Sequence, residues 1–215
     1  MTPQAIITVA RQRYNAVNDT FWPDQELYDI IYQGSLEMAN EGLVIERTFT
    51  TTSVNGQQEY AYPTNAIAIK RVTYNGKKLH PDSFREDDTV TVVNQITLAT
   101  GTPQYYQMWN SIMYLRAVPD TDGLTIKMWA YVEPQAVTSS STLELPVQYH
   151  MMLVNLILSE MSAKNKNYSG AEYYRKLWDN DVLRAKRLAH KKTIADGFNF
   201  VKNVDILPNS IIGTV

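Results

Sequence analysis

Residues 100–115 read Thr100-Gly101-Thr102-Pro103-Gln104-Tyr105-Tyr106-Gln107-Met108-Trp109-Asn110-Ser111-Ile112-Met113-Tyr114-Leu115. A Gly-x-Pro corner opens onto an aromatic run, and Asn110-Ser111 is a pair that turns the chain back into a second apolar run. Two strands joined by a tight turn are predicted. The stretch has no nucleophile–base pair, no metal-ligand spacing and no phosphate loop. It fixes a β-region in the middle of the chain.

Working outward, strand signals continue on both sides. From Leu43 the period becomes two, with Val44, Glu46, Thr48, Thr50 and Thr52 opposing Ile45, Arg47, Phe49 and Thr51. Asn55-Gly56 reads as a hairpin turn leading to a strand from Glu59 to Tyr62. A strand over 66–74 closes at a second Asn-Gly turn, Asn75-Gly76. The acidic loop 81–88 follows, then β-branched runs over 89–93 and 95–99, and a last strand over 124–132. Short strands at this spacing predict an antiparallel β-sandwich or small barrel.

The flanks are helical. Ile6, Val9, Ala10, Tyr14 and Val17 share a face over 3–17, with Thr2 as cap and Pro3 at the first position. Leu27, Ile30, Ile31, Gly34 and Met38 form a stripe over 23–41, and Gly42 stands where a left-handed cap belongs. Gly34 costs about 1 kcal/mol against Ala unless close helix approach needs it. After a Ser/Thr-rich linker over 134–142, a helix from Leu145-Pro146 to about Lys164 is apolar nearly all round, the mark of a core or interface helix. Ser169-x-x-Glu172 reads as a capping box for a fourth helix over about 170–192. Its face Tyr174, Leu177, Trp178, Asp181, Ala185, Leu188 and Ala189 is interrupted only by Asp181. The predicted fold is α+β. An antiparallel helical bundle (1–42 and 143–194) carries an inserted β-domain (43–142), and an extended tail (195–215) completes the chain.

The 215 residues are 44% hydrophobic and 20% charged, the balance of a globular chain with a real core. With no cysteine, disulfides, thiol nucleophiles and Cys-ligated metals are excluded. No apolar run is long enough for a membrane span, and the N-terminus lacks a signal pattern. The net charge of −2 is unevenly divided. Residues 1–163 hold 10 Lys/Arg against 17 Asp/Glu, whereas residues 164–192 hold 9 against 3.

The order of the motifs carries a resemblance. A short helix pair comes first, then the turn-bearing stretch Thr51-Thr52-Ser53-Val54-Asn55-Gly56-Gln57-Gln58-Glu59-Tyr60. Next come Ile69-Lys70-Arg71-Val72-Thr73-Tyr74-Asn75-Gly76-Lys77-Lys78-Leu79 and Gly101-Thr102-Pro103-Gln104-Tyr105-Tyr106. Leu143-Glu144-Leu145-Pro146-Val147-Gln148-Tyr149-His150 then opens a long helix. Over about residues 20–190 this resembles the head-to-tail adaptor (connector, tail tubular) proteins of tailed bacteriophages. The resemblance implies a virion ring, usually of twelve copies, assembled in the host cytoplasm. Such a ring docks under the portal, receives the next tail component and passes the genome through its lumen. It implies neither enzymatic activity nor a cofactor.

Candidate contacts with the portal or a neighbouring subunit are Lys176, Arg184, Lys186, Arg187, Lys191 and Lys192 on the basic helix. Phe198, Phe200, Ile206 and Leu207 of the aperiodic, apolar tail join them, since such a segment orders against a partner. A solvated helix face is the plainer reading of the cations. His80, His150 and His190 have no metal-spaced partners and read as surface or capping residues. The acidic loop lacks calcium-loop spacing, and no carboxylate pair is placed for hydrolysis. Tyr105, Tyr106, Trp109, Tyr114, Trp129 and Tyr131 are expected in the core or on sheet faces. The alternative is an oligonucleotide- or carbohydrate-binding module on the β-domain. It is disfavoured because only Arg116 and Lys127 lie near these aromatics in sequence.

Overall fold

The structure is a computed structural model, and it describes residues 1–82 and 99–195, the last six of them as backbone only. The chain is α+β and divides into two units. One comprises residues 1–44 and the chain from Ala136, and the other comprises Ile45–Gln135.

In the first unit, α1 spans Pro3–Arg13 and α2 spans Asp24–Gly42. Thr2 caps α1 as expected, accepting from the Ala5 amide at 3.2 Å. The helix ends earlier than its apolar spacing suggests, because Asn15 turns left-handed (φ 57°) and leaves Val17 exposed. Gly42 does not provide the left-handed cap of α2. Leu43 does, at φ 50° and ψ 47°, and Gly42 closes the last helical turn.

The expected third helix is broken. A single turn, α3 (Val147–His150), precedes α4 (Leu153–Lys164). Amide bonds to the third preceding carbonyl at Tyr149, Met152 and Asn155 tighten this stretch. α4 is buried nearly all round, as its sequence suggests. The linker before it is not loose, since Val137, Leu143 and Leu145 are buried.

α5 runs Tyr168–Ala195. Its cap is Asn167, whose side-chain oxygen accepts from the Gly170 amide at 3.1 Å, so the box at Ser169 does not form. Glu172 pairs with Lys176 instead. Asp181 fits its apolar face because Asn155 donates to it at 2.7 Å.

Gly34 is where α2, α4 and α5 meet. A Cβ there would stand 2.7 Å from Leu156 Cδ2, 2.9 Å from Leu153 Cδ2 and 3.2 Å from the Trp178 ring. All three side chains are buried. The glycine is therefore required by close approach. Trp178, fully buried, also donates from Nε1 to Glu37 at 3.0 Å.

The second unit holds eight strands among the described residues. They are β1 (Glu46–Thr52), β2 (Glu59–Ala61), β3 (Ala66–Tyr74), β4 (Lys77–Lys78), β5 (His80–Pro81), β6 (Tyr105–Trp109), β7 (Ile112–Arg116) and β8 (Thr125–Val132). They form two four-stranded sheets and not a closed barrel. The first has order β1-β8-β3-β4, all antiparallel. The second has order β2-β7-β6-β5, and its β5–β6 pair is parallel. The two sheets share one apolar cluster, with Tyr60, Met113 and Leu115 from one and Val72, Tyr74, Ile126 and Met128 from the other.

Two of the three predicted turns close hairpins. Asn75-Gly76 (φ 46° and 78°) joins β3 to β4, and Asn110-Ser111 (φ 48° and 61°) joins β6 to β7. Both central residues are left-handed, which matches strand twist. Asn55-Gly56 does not make a hairpin. It carries the chain from β1 in one sheet to β2 in the other, because β1 pairs with β8 and β2 with β7. Buried Ser53 ties this crossing down, donating to Thr121 O at 2.7 Å and accepting from the Leu124 amide at 3.0 Å. The run 89–93, the run 95–99 apart from Ala99, and most of the acidic loop lie outside the described residues.

Two thermal-unfolding tests follow from this packing. Gly34→Leu should lose about 1–3 kcal/mol by overpacking the three-helix contact. Ser111→Gly should gain up to about 1 kcal/mol by relieving a left-handed non-glycine residue.

Candidate functional site

The basic residues singled out on α5 have different surroundings. Lys176 is tied to Glu172 one turn back at 2.8 Å, which raises the lysine's pKa and lowers the glutamate's, the hydrogen bond being the main cause. Lys186 reaches Glu41 of α2 at 3.4 Å, with both groups well exposed. Arg184 and Arg187 are exposed and have no ion-pair partner among the described residues. Exposed Tyr173 and Leu183 share the outer side of the helix with them. Lys191 and Lys192 lie on the backbone of α5, with side chains outside the description. Phe198, Phe200, Ile206 and Leu207 lie outside the described residues.

A second charged face belongs to the β-unit and was not legible from spacing. Partners directly opposite in antiparallel strands point to the same side of the sheet. Arg71 opposes Trp129, Thr48 opposes Trp129 from the other flank, and Lys127 lies between Thr50 and Thr73. The Arg71 guanidinium stands 5.3 Å from the centre of the Trp129 ring, and Lys70 Nζ stands 5.9 Å from that of Tyr131. Basic residues are therefore interleaved with aromatics here, contrary to the sequence expectation. Lys70 is also paired with Glu46 at 3.5 Å. Arg71, Thr73, Asn75, Gly76, Thr125, Lys127 and Trp129 line a depression of ≈ 430 Å³. Of the aromatics expected in the core or on sheet faces, Tyr106 is buried, whereas Tyr105 and Trp109 are exposed.

Other polar clusters are committed to holding the fold. A depression of ≈ 650 Å³ lies along α1 and the loop after it. Its Arg11 donates to the Asp19 and Trp22 carbonyls and to Asp24 Oδ1, which pins that loop. Asp82, the first carboxylate of the acidic loop 81–88, is almost buried and ion-paired with Arg116. No group of three or more His, Asp and Glu side chains is placed to hold a metal among the described residues. No described helix is long and apolar enough to cross a membrane.

His150 corrects the surface reading. It is 3% exposed, with Nε2 donating to the Leu145 carbonyl at 2.6 Å and Nδ1 2.9 Å from the Met1 nitrogen. Burial lowers its pKa, and the positive charge of the Met1 amino group acts in the same direction. The bond to Leu145 opposes them.

Comparison with known families places the chain among phage head–tail adaptors. The family model described as SU10 adaptor protein matches residues 1–196, and the chain belongs to that family. No curated protein matches it. Membership makes the chain a structural component of the virion that acts between head and tail, so the resemblance read from motif order holds.

The depressed His150 pKa has a definite sign. The unfolded chain takes up the proton near the ordinary imidazole value and the folded chain only at lower pH. Stability is complete above that ordinary value and falls as pH drops through it toward the folded pKa. Melting temperatures measured between about pH 8 and about pH 5 should fall with acidification, and His150→Gln should flatten that slope. Separately, Asp82→Asn should cost about 1–3 kcal/mol in denaturant unfolding by leaving Arg116 without its buried partner.

Proposed function

We propose that the protein is the ring subunit of a phage neck, seated between the portal and the next tail component and forming part of the genome path. The match to the adaptor family over residues 1–196 carries this reading. The helices act as one antiparallel bundle (1–42 and 143–194) that meets the portal and neighbouring subunits. The inserted domain (43–142) works as a β-sandwich at the tail-facing end, and the segment 195–215 is the docking tail. Twelve copies close by head-to-tail contacts.

The outer side of α5 supplies the portal or inter-subunit contact, through Arg184 and Arg187 first and Lys176, Lys186, Lys191 and Lys192 around them. Phe198, Phe200, Ile206 and Leu207 add apolar anchoring. The acidic balance of residues 1–163 keeps the path from gripping DNA, because like charge disfavours phosphate adsorption. The genome then passes without specific binding.

Electron micrographs of the protein mixed with its portal should show a closed ring on the portal. Deleting 196–215, or making Arg184→Glu with Arg187→Glu, should preserve the fold and weaken docking. Docking of the unaltered protein should also weaken as salt rises. Absence of a ring on the portal would refute the reading. Tight duplex-DNA binding lost in the double variant would replace it with a nucleic-acid-binding one.

A further inference from the structure

The β-unit separates its charges across one sheet. Residues 45–135 hold eight basic and nine acidic side chains, so the unit is close to neutral. On the face described above, Arg71 and Lys127 have no carboxylate partner among the described residues. They lie on β3 and β8, and the exposed Lys78, opposite Thr73 on the edge strand β4, shares their side of the sheet.

The opposite edge is β1. At its end the Ser53–Gly56 crossing is laced to the 119–124 turn by the bonds Gly56 N to Pro119 O (2.9 Å) and Gly123 N to Ser53 O (2.8 Å). That corner presents Asp120 and Asp122, both exposed. Asp120 accepts only from its neighbour Thr121, at 2.9 Å, and Asp122 only from the Asn55 amide, at 2.6 Å. No cation among the described residues pairs with either.

The corner and the depression lie at the same end of the sheet, because Asn75 N donates to Thr125 O at 2.8 Å just after the 119–124 turn. One unit thus carries an acidic corner and a basic, aromatic-backed depression near the same end of one sheet. Two different patches that fit each other between copies make heterologous contacts, the kind that close rings.

Resting on the ring reading above, we infer that the depression around Arg71 and Lys127 receives the Asp120–Asp122 corner of the next copy of this chain. The chemistry favours a carboxylate-bearing protein surface over nucleic acid. One face of Trp129 is already taken by Arg71 and is closed to a base. Two unpaired cations are few for a phosphate polymer, whose binders typically neutralise several phosphates. An arginine stacked on an indole still offers its edge to a carboxylate, in two parallel hydrogen bonds.

The chain has no cysteine, which makes the test clean. In the full-length protein carrying Lys78→Cys and Thr121→Cys, oxidation at high concentration and on the portal should give a ladder of cross-linked oligomers. Adding Arg71→Glu with Lys127→Glu should reduce the ladder roughly tenfold or more, and further adding Asp120→Lys with Asp122→Lys should restore it. Circular dichroism of each variant keeps misfolding separate from lost contact. Rings on the portal that form without this ladder, or a ladder indifferent to the charge swaps, would overturn the contact while leaving the adaptor reading intact. Failure of any ring to form would instead count against that reading. Loss of single-stranded oligonucleotide binding by Arg71→Glu with Lys127→Glu, with self-association unchanged, would reassign the face to nucleic acid and overturn the proposal.

Discussion

The pairing of β8 with both β1 and β3 is the constraint from which most of the architecture follows. β1 is the first strand of the unit and β8 the last, and they run side by side in full register from Glu46↔Tyr131 to Thr52↔Thr125. The Val132 amide donates to the Ile45 carbonyl at 3.0 Å, so the chain leaves the β-unit beside the point where it came in. An inserted unit with adjacent ends does not force apart the sequence-distant helices of the other unit. α1 and α2 can then pack against α4, and α2 against α5 at Gly34 and Trp178, although about a hundred residues separate the two halves in sequence. The loop-closure entropy of that separation grows only logarithmically, and the β-unit offsets it with its own apolar cluster.

How much of this was legible depends on the range of the interaction. The helical faces, the Thr2 cap, the buried character of α4 and the two hairpin turns with both residues left-handed are set by neighbours within a few positions. Boundaries decided by one backbone angle were missed, such as Asn15 ending α1 and Leu43 displacing Gly42 as the cap of α2. The cap of α5 was misplaced because Asn167 and Ser169 are both good caps, and sequence alone does not say which carbonyl starts the helix. Asn55-Gly56 misled for another reason. A turn signal says that the chain reverses, whereas the strand it then joins is chosen by long-range pairing. The Arg71–Trp129 stack was invisible on the same ground, since 58 positions separate two residues that the β3–β8 register sets opposite each other. The resemblance to phage adaptors survived these local errors because it rested on the order of elements.

The buried polar groups show how loops are tied down in an acidic chain that has no disulfides. Arg11, Arg116 and Lys164 each reach across loops or between elements to a carboxylate or carbonyl. Arg11 takes three acceptors at once, which suits the fixed fork of a guanidinium. The exposed pairs Lys176–Glu172 and Lys186–Glu41 contribute little by comparison, because water screens them. Arg11 and Arg116 hold loop geometry, whereas Arg71, Lys127, Arg184 and Arg187, which have no ion-pair partner among the described residues, sit on regular elements.

That placement bears on recognition. A side chain on a loop must be ordered when a partner arrives, and the ordering subtracts from affinity. Arg184 and Arg187 ride on a helix whose opposite side is locked by Trp178, Val182 and Ala185 and by the Asn155–Asp181 bond. Arg71 is held over an indole on a strand paired on both sides. In both cases the backbone position of the charge is fixed by packing that any subunit contact leaves untouched, and only the outer rotamers remain to be set. Charges fixed in this way favour one register over its neighbours more than they add raw affinity. A closed ring has that requirement, since each contact must repeat the same angle for the last copy to meet the first.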